Sequence, residues 1–275
     1  MGCFVVNDAL VKYASQSMPS AQLIFMRGVM ASVLVLALVR FTGSMKHVGS
    51  IGRGWVAIRA WTDAVGTFIY LIALFHLPIV NATAIVMTSP LLIALLAAVF
   101  MGERVGIGRW LAIGLGFVGV LLIIQPRAEG FNVYAVVCLA GTVLMSVRDL
   151  LTRRIGTQVP STIITLATAV AVTLLSGTAS LVEGWQPFGA FELALLALAS
   201  IFLAGGYYGI VIGMRHGEMS VIGPFRYSGL LWALVIGFLV WGDLPNALAW
   251  IGIALLAGSG LYVVYGERKR ASAAR

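Results

Sequence analysis

The sequence predicts an all-α integral membrane protein, with ten transmembrane helices arranged as two inverted five-helix repeats around a central cavity. Three observations lead there. The 275 residues are 60% hydrophobic and 10% charged, with a mean hydropathy of +1.01. Soluble domains carry about 25% charged residues, and a chain of this length cannot hide so much apolar surface in one core. The apolar residues fall into ten continuous stretches separated by short polar breaks. Finally, the second half of the chain repeats residue types of the first at a fixed offset.

The stretches lie near 1–15, 20–41, 55–76, 79–101, 107–125, 131–151, 160–182, 190–214, 218–241 and 246–266. They run on without period-2 alternation, which selects helices over strands. The first is short of the roughly 20 residues a crossing needs, which leaves room for residues upstream. Pro90 and Pro224 interrupt the fourth and ninth stretches. Such breaks are tolerated in membranes where neighbours or a cavity satisfy the freed carbonyl, so Pro90, Gly223, Pro224 and Gly229 are the expected hinge points. In the fifth, Gly114, Gly116 and Gly119 match a dinucleotide-binding spacing. No strand precedes them and no acidic residue follows at the required distance. Inside a membrane helix these glycines instead admit a neighbouring helix closely, as do Ala254 and Gly258. No cleavable signal peptide is evident, and residue six lacks the Ser or Thr of a myristoylation signal.

Loop charge sets the expected orientation. With the N-terminus inside, the cytoplasmic breaks and tail hold Lys46, Arg53, Arg104, Arg109, Arg153, Arg154, Arg215, Arg268, Lys269, Arg270 and Arg275, whereas the opposite breaks hold only Arg127. The positive-inside rule then places both termini in the cytoplasm of a bacterial-type inner membrane. The same rule accounts for the net charge of +8 without nucleic acid, for which no soluble module remains. Cys3 and Cys138 have neither metal spacing nor a disulfide framework.

The repeat can be read residue by residue. Asp8 and Lys12 through Pro19-Ser20 match Asp149 and Arg153 through Pro160-Ser161 at a shift of 141. At a shift of 140, Gly66 falls on Gly206, His76 on His216, Gly102-Glu103 on Gly242-Asp243 and Trp110 on Trp250. Five helices per repeat is an odd number, so the halves enter the membrane in opposite senses. Residues 1–125 form the first repeat, 131–266 the second, and 267–275 a basic tail. Inverted repeats are a transporter architecture with the site near the midplane.

These residues also resemble a family. The run Ala82-Thr-Ala-Ile-Val-Met-Thr-Ser-Pro90, continuing to Gly102-Glu-Arg-Val105 and Trp110, is similar to the first EamA repeat of the drug/metabolite transporter superfamily. Pro224-Phe-Arg-Tyr227, Leu230-Leu-Trp-Ala233 and Gly242-Asp-Leu-Pro245 resemble the second, while Asp8–Lys12 and Phe25-Met-Arg-Gly28 fit the opening. The resemblance covers nearly the whole chain. It implies ten helices, a central cavity, alternating access and export of amino acids, aromatic ones included, or of nucleosides and other metabolites.

Intramembrane charge is costly and therefore points to function. The candidates are Asp8, Arg27, Asp63 and Arg226. Arg226 lies about eight residues into the ninth helix, roughly 12 Å along it, near half the apolar thickness. Its planar fork suits a carboxylate, from substrate or from a protein partner such as Asp63 or Asp8. Arg27 is nearer a membrane face and reads as structural. Asp8 and Asp149 sit one turn before Lys12 and Arg153, so two i,i+4 pairs are expected as structural charge. Asp63 has only Arg59, one turn earlier, and is a candidate for a substrate ammonium or a coupling proton. Tyr70, Tyr207, Tyr208, Tyr227 and Trp232 sit beside polar or breaker residues and suit an amphipathic pocket, whereas Trp185 and Trp241 fall at interfaces. Asn7, Ser89 and Ser228 add neutral hydrogen bonds. The expected substrate-contacting set is Asn7, Asp63, Tyr70, Ser89, Tyr208, Arg226, Tyr227, Ser228 and Trp232.

A secondary transporter of small amphipathic metabolites, chiefly amino acids, follows as the leading function, with nucleobases or nucleosides as the alternative. No cofactor or metal site is expected; the partners are a small-molecule substrate and the lipid bilayer, with proton coupling left open. A membrane-embedded lipid-modifying enzyme would need clustered carboxylates or histidines, and the ten acidic residues are scattered. A pore would need a selectivity filter or a ring of like charge, and neither pattern occurs.

Overall fold

The computed structural model describes residues 1–101, 106–125, 132–156, 158–216 and 226–273, without the side chains of 101, 208, 210–216 and 266–273. Among the described residues all regular structure is helical. The helices are α1 (Gly2–Ala14), α2 (Ser20–Phe41), α3 (Gly54–His76), α4 (Ile79–Val86), α5 (Ser89–Met101), α6 (Ile107–Ile124), α7 (Tyr134–Thr152), α8 (Ser161–Glu183), α9 (Ala190–His216), α10 (Ser228–Trp241) and α11 (Ala247–Ala273), with a 3-10 segment at Ser44–Ser50. Among the described residues eight spans, one of them α4 and α5 taken together, are long and apolar enough to cross a membrane. The chain is a multi-pass membrane protein.

Proline sets several helix starts. Pro19, Pro78 and Pro160 stand immediately before α2, α4 and α8 with extended ψ near 140°. Such a residue ends whatever precedes it, and its fixed φ suits a helix entrance. Pro90 breaks the fourth apolar stretch into two helices. It occupies the first turn of α5, where its missing N–H costs nothing. At the break, the Thr88 hydroxyl donates to the Ile85 carbonyl at 2.6 Å and Ser89 Oγ donates to the Val86 carbonyl at 2.6 Å. Two carbonyls at the break are thus met by hydroxyls of the break itself.

The helices pack in a regular set of pairs: α1 with α9, α3 with α7, α2 with α8, α4 with α10, and α6 with α11. Further contacts run between α1 and α10, α5 and α7, α2 and α9, and α3 and α8. Glycine makes two of these seams close. A Cβ on Gly119 would lie 2.7 Å from the Gly252 carbonyl oxygen, and one on Gly141 would lie 3.0 Å from the Gly66 carbonyl. Gly119 therefore does what a small-residue helix contact requires. Gly258 does not. It is exposed with nothing within 4 Å of an added Cβ, and Ala254 shares its open face, so the close contact is made instead by Gly252, two residues before Ala254.

Side chains tie the helix ends together. The Glu183 carboxylate caps α2, accepting from the backbone N–H of Ser20 (3.1 Å) and Ala21 (2.5 Å). Gln22 and the Gln186 backbone exchange two hydrogen bonds of 2.9 Å, and Gln125 pairs with Asn246. Trp185 lies half exposed with its ring edge-on to Phe25.

Candidate functional site

A cavity of about 280 Å³ opens where α1, α2 and α3 meet α7, α8 and α9. Its apolar wall includes Met1, Phe4, Val86, Met87, Met145 and Val172. Phe4 meets Tyr207 edge-to-face, with centroids 5.4 Å apart. Polar groups converge on this wall: Asn7 and Asp8 from α1, Arg27 from α2, Thr67 and Tyr70 from α3, Arg148 from α7, Thr168 from α8, and Arg226 just before α10. An apolar pocket with a few convergent polar groups is what a small-molecule site requires.

Of the residues singled out from sequence, Asn7, Asp8, Arg27, Tyr70, Ser89, Tyr207, Arg226 and Gly229 line this cavity. The Ser89 hydroxyl is occupied by its own helix break. Arg226 is half-buried and, among the described residues, makes no ion pair, so the expected pairing with Asp63 or Asp8 is not formed. Tyr227 is buried beside the cavity, its hydroxyl 3.5 Å from the Met87 carbonyl. Trp232 is 49% exposed and covers Gly2, outside the pocket. Ser228 is half-buried and not in the lining. Gly223 and Pro224 lie outside the described residues, as does the Tyr208 side chain.

Asp63 behaves differently from the expectation. It is 2% exposed and lies behind the lining rather than in it. Arg148 Nη1 donates to its Oδ1 at 2.7 Å, Arg59 approaches its Oδ2 at 3.4 Å, and the Thr168 hydroxyl donates to Oδ2 at 3.1 Å. Arg148 also holds Asp149 Oδ1, through Nε at 2.9 Å and Nη2 at 2.8 Å. One guanidinium thus bridges two carboxylates and joins α3 to α7. Sequence reading passes over Arg148, because next to Asp149 it looks like ordinary helix-end charge.

The Asp8–Lys12 pair expected on α1 is also absent, for a local reason. The last four carbonyls of a helix lack partners and carry the negative end of its dipole. Lys12 Nζ takes up those of α3, donating to the Leu74 carbonyl at 2.9 Å and to the Leu77 carbonyl at 2.5 Å, and sits 5.7 Å from the Trp241 ring centroid. Asp8 is left with neutral donors: Asn7 Nδ2 at 2.9 Å and the Tyr70 hydroxyl at 2.7 Å. Arg153 is exposed, and Asp149 turns to Arg148 instead. No group of three or more metal-ligating side chains occurs among the described residues.

Comparison with known proteins places this architecture. The description "EamA-like transporter family" matches residues 2–125. A riboflavin transporter of Rhizobium johnstonii is 33% identical over 239 residues, covering 86% of this chain and 76% of its own length. The chain belongs to the EamA family of the drug/metabolite transporter superfamily. The Pseudomonas aeruginosa pseudopaline exporter is 27% identical to this EamA protein over 259 residues, covering 92% of the chain and 89% of its own. A solved crystal structure at 22% identity shares the EamA protein's fold, with a TM-score of 0.63 over 97% of this chain and 96% of that one. Residues of both halves contribute to the cavity, although the family match itself is to the first.

Proposed function

We propose that this chain is a secondary carrier of a small amphipathic metabolite, working by alternating access, and that its substrate is a flat heterocycle of the flavin class. One observation carries the reading: a cavity between the two halves combines aromatic and methionine walls with the buried Arg27 guanidinium and the half-buried Asp8 carboxylate. A flavin ring offers two apolar faces to Phe4, Tyr70 and Tyr207 and a polar edge to Arg27 and Asp8. The relative named a riboflavin transporter supports the same class.

Ten spans in two inverted repeats belong to this proposal. The helix pairing supports them, because exchanging equivalent helices of the two halves turns the α3–α7 contact into α9–α1 and the α5–α7 contact into α10–α1. Loop charge supports an inner-membrane protein with cytoplasmic termini. Export follows from the resemblance. Amino acids stand as the second reading, favoured by an arginine and an aspartate that face the cavity without pairing to each other.

Counterflow in proteoliposomes tests both. Vesicles are preloaded with unlabelled riboflavin or amino acids and exposed to labelled riboflavin, threonine, methionine and phenylalanine. Saturable accumulation of riboflavin is expected. Accumulation of an amino acid instead would install the second reading, and accumulation of neither by folded protein would overturn both.

A further inference from the structure

Asp8 and Arg27 were expected from sequence to be structural charge, yet both line the cavity and do not pair with each other. The Asn7 amide stands between them. Arg27 Nη1 donates to Asn7 Oδ1 at 3.3 Å, and Asn7 Nδ2 donates to Asp8 Oδ1 at 2.9 Å. Tyr70 holds the other carboxylate oxygen at 2.7 Å. Among the described residues no cation lies within ion-pairing distance of Asp8. Arg27 is 5% exposed, and its Nε is buried with no hydrogen-bond partner.

A buried guanidinium and a half-buried carboxylate would gain most by direct contact, since pairing offsets the desolvation each bears. Keeping them one amide apart leaves a donor and an acceptor side by side on the cavity wall, both short of partners. The guanidinium has five N–H donors, most of them uncommitted. Each Asp8 oxygen accepts one hydrogen bond and retains a lone pair, enough for a further N–H but poor provision for an ammonium with three donors.

We infer that the Arg27–Asn7–Asp8–Tyr70 row is the specificity-determining site of this carrier, and that it reads a carbonyl beside a ring N–H on the substrate. The carbonyl oxygen accepts from Arg27 and the adjacent N–H donates to Asp8. On a flavin this is the imide edge of the pyrimidine ring, so the inference rests on the flavin reading. Tyr70 and Asn7 are positioning residues that hold the carboxylate toward the cavity.

The test uses the full chain in proteoliposomes, with 3-methylriboflavin competing against labelled riboflavin. Methylation at the imide nitrogen deletes one donor. The analogue should compete at least about tenfold more weakly than riboflavin, the scale of a lost hydrogen bond to a charged group. In Asp8→Ala the ratio between the two ligands should fall below about threefold. Tyr70→Phe keeps the ring and should narrow the ratio partly, which decides the matter if Asp8→Ala does not fold. Equal competition in the unmodified protein overturns the inference and leaves flavin transport standing. An undiminished ratio in Asp8→Ala or, failing that, in Tyr70→Phe overturns it as well. Absence of riboflavin binding, followed by fluorescence quenching of the purified protein, removes the flavin reading and this inference together.

Discussion

Replacing Asp63 with asparagine keeps the shape of the side chain and deletes one charge from the centre of a cluster. The ion pairs at 2.7 Å to Arg148 and 3.4 Å to Arg59 are gross attractions of ~6 and ~5 kcal/mol at an effective dielectric of about 20. Desolvation of the three ions cancels much of that sum, and breaking a buried pair in other proteins costs about 3–5 kcal/mol. Asp63→Asn should therefore lower the thermal midpoint in detergent by roughly 10 °C, at a few degrees per kcal/mol. The assay is retention of monodisperse protein by size exclusion after heating. Asp63→Asn with Arg59→Gln removes an opposite charge as well and should recover at least half of the loss, because among the described residues Arg59 has no other carboxylate partner whereas Arg148 keeps Asp149. A midpoint for Asp63→Asn within 2 °C of the parent would show that the cluster contributes no net stability. A double variant no better than the single would place the energy elsewhere.

Other substitutions probe the remaining features. Arg226→Ala should abolish counterflow while leaving the thermal midpoint within about 3 °C, since no ion pair to a described residue is lost; a large drop in the midpoint would make Arg226 structural. Gly119→Val places carbon against the Gly252 carbonyl and should prevent recovery of monodisperse protein, whereas Gly258→Val, with open space around it, should be recovered like the parent. Lys12→Met keeps the apolar stem and strips the C-terminal carbonyls of α3 of their donor. A loss of about 1–3 kcal/mol should follow, read as a lower melting midpoint.

Helix positions were legible wherever the signal is local. Pro19, Pro78 and Pro160 mark starts, and Pro90 marks the break between α4 and α5, because a missing N–H and a fixed φ act within one turn. Several cavity residues were legible for a different reason: Asn7, Tyr70 and Arg226 are polar groups in apolar surroundings, and membranes tolerate few of those. The partners of the charges were not. Sequence spacing offers Lys12 to Asp8 one turn away, but spacing cannot show that the end of α3 stands beside Lys12 with unfilled carbonyls. Asp63 and Arg148 meet 85 residues apart, across α3 and α7, where no periodicity of either helix announces the other. Trp232 shows the converse error: an aromatic beside a breaker residue faces outward as readily as inward.

The break between α4 and α5 meets the Ile85 and Val86 carbonyls with its own Thr88 and Ser89 hydroxyls, while the Met87 carbonyl has the Tyr227 hydroxyl at 3.5 Å. A joint capped by neighbouring helices or by water would have to shed those partners whenever it changed angle. For the first two carbonyls donor and acceptor sit on the same few residues, so a turn at this joint would shed only the long contact from Tyr227. A hinge built this way would draw little on the hydration of the bilayer or on the lipid species around it, and a change of membrane should alter the rate of turnover less than a change of Thr88 to valine.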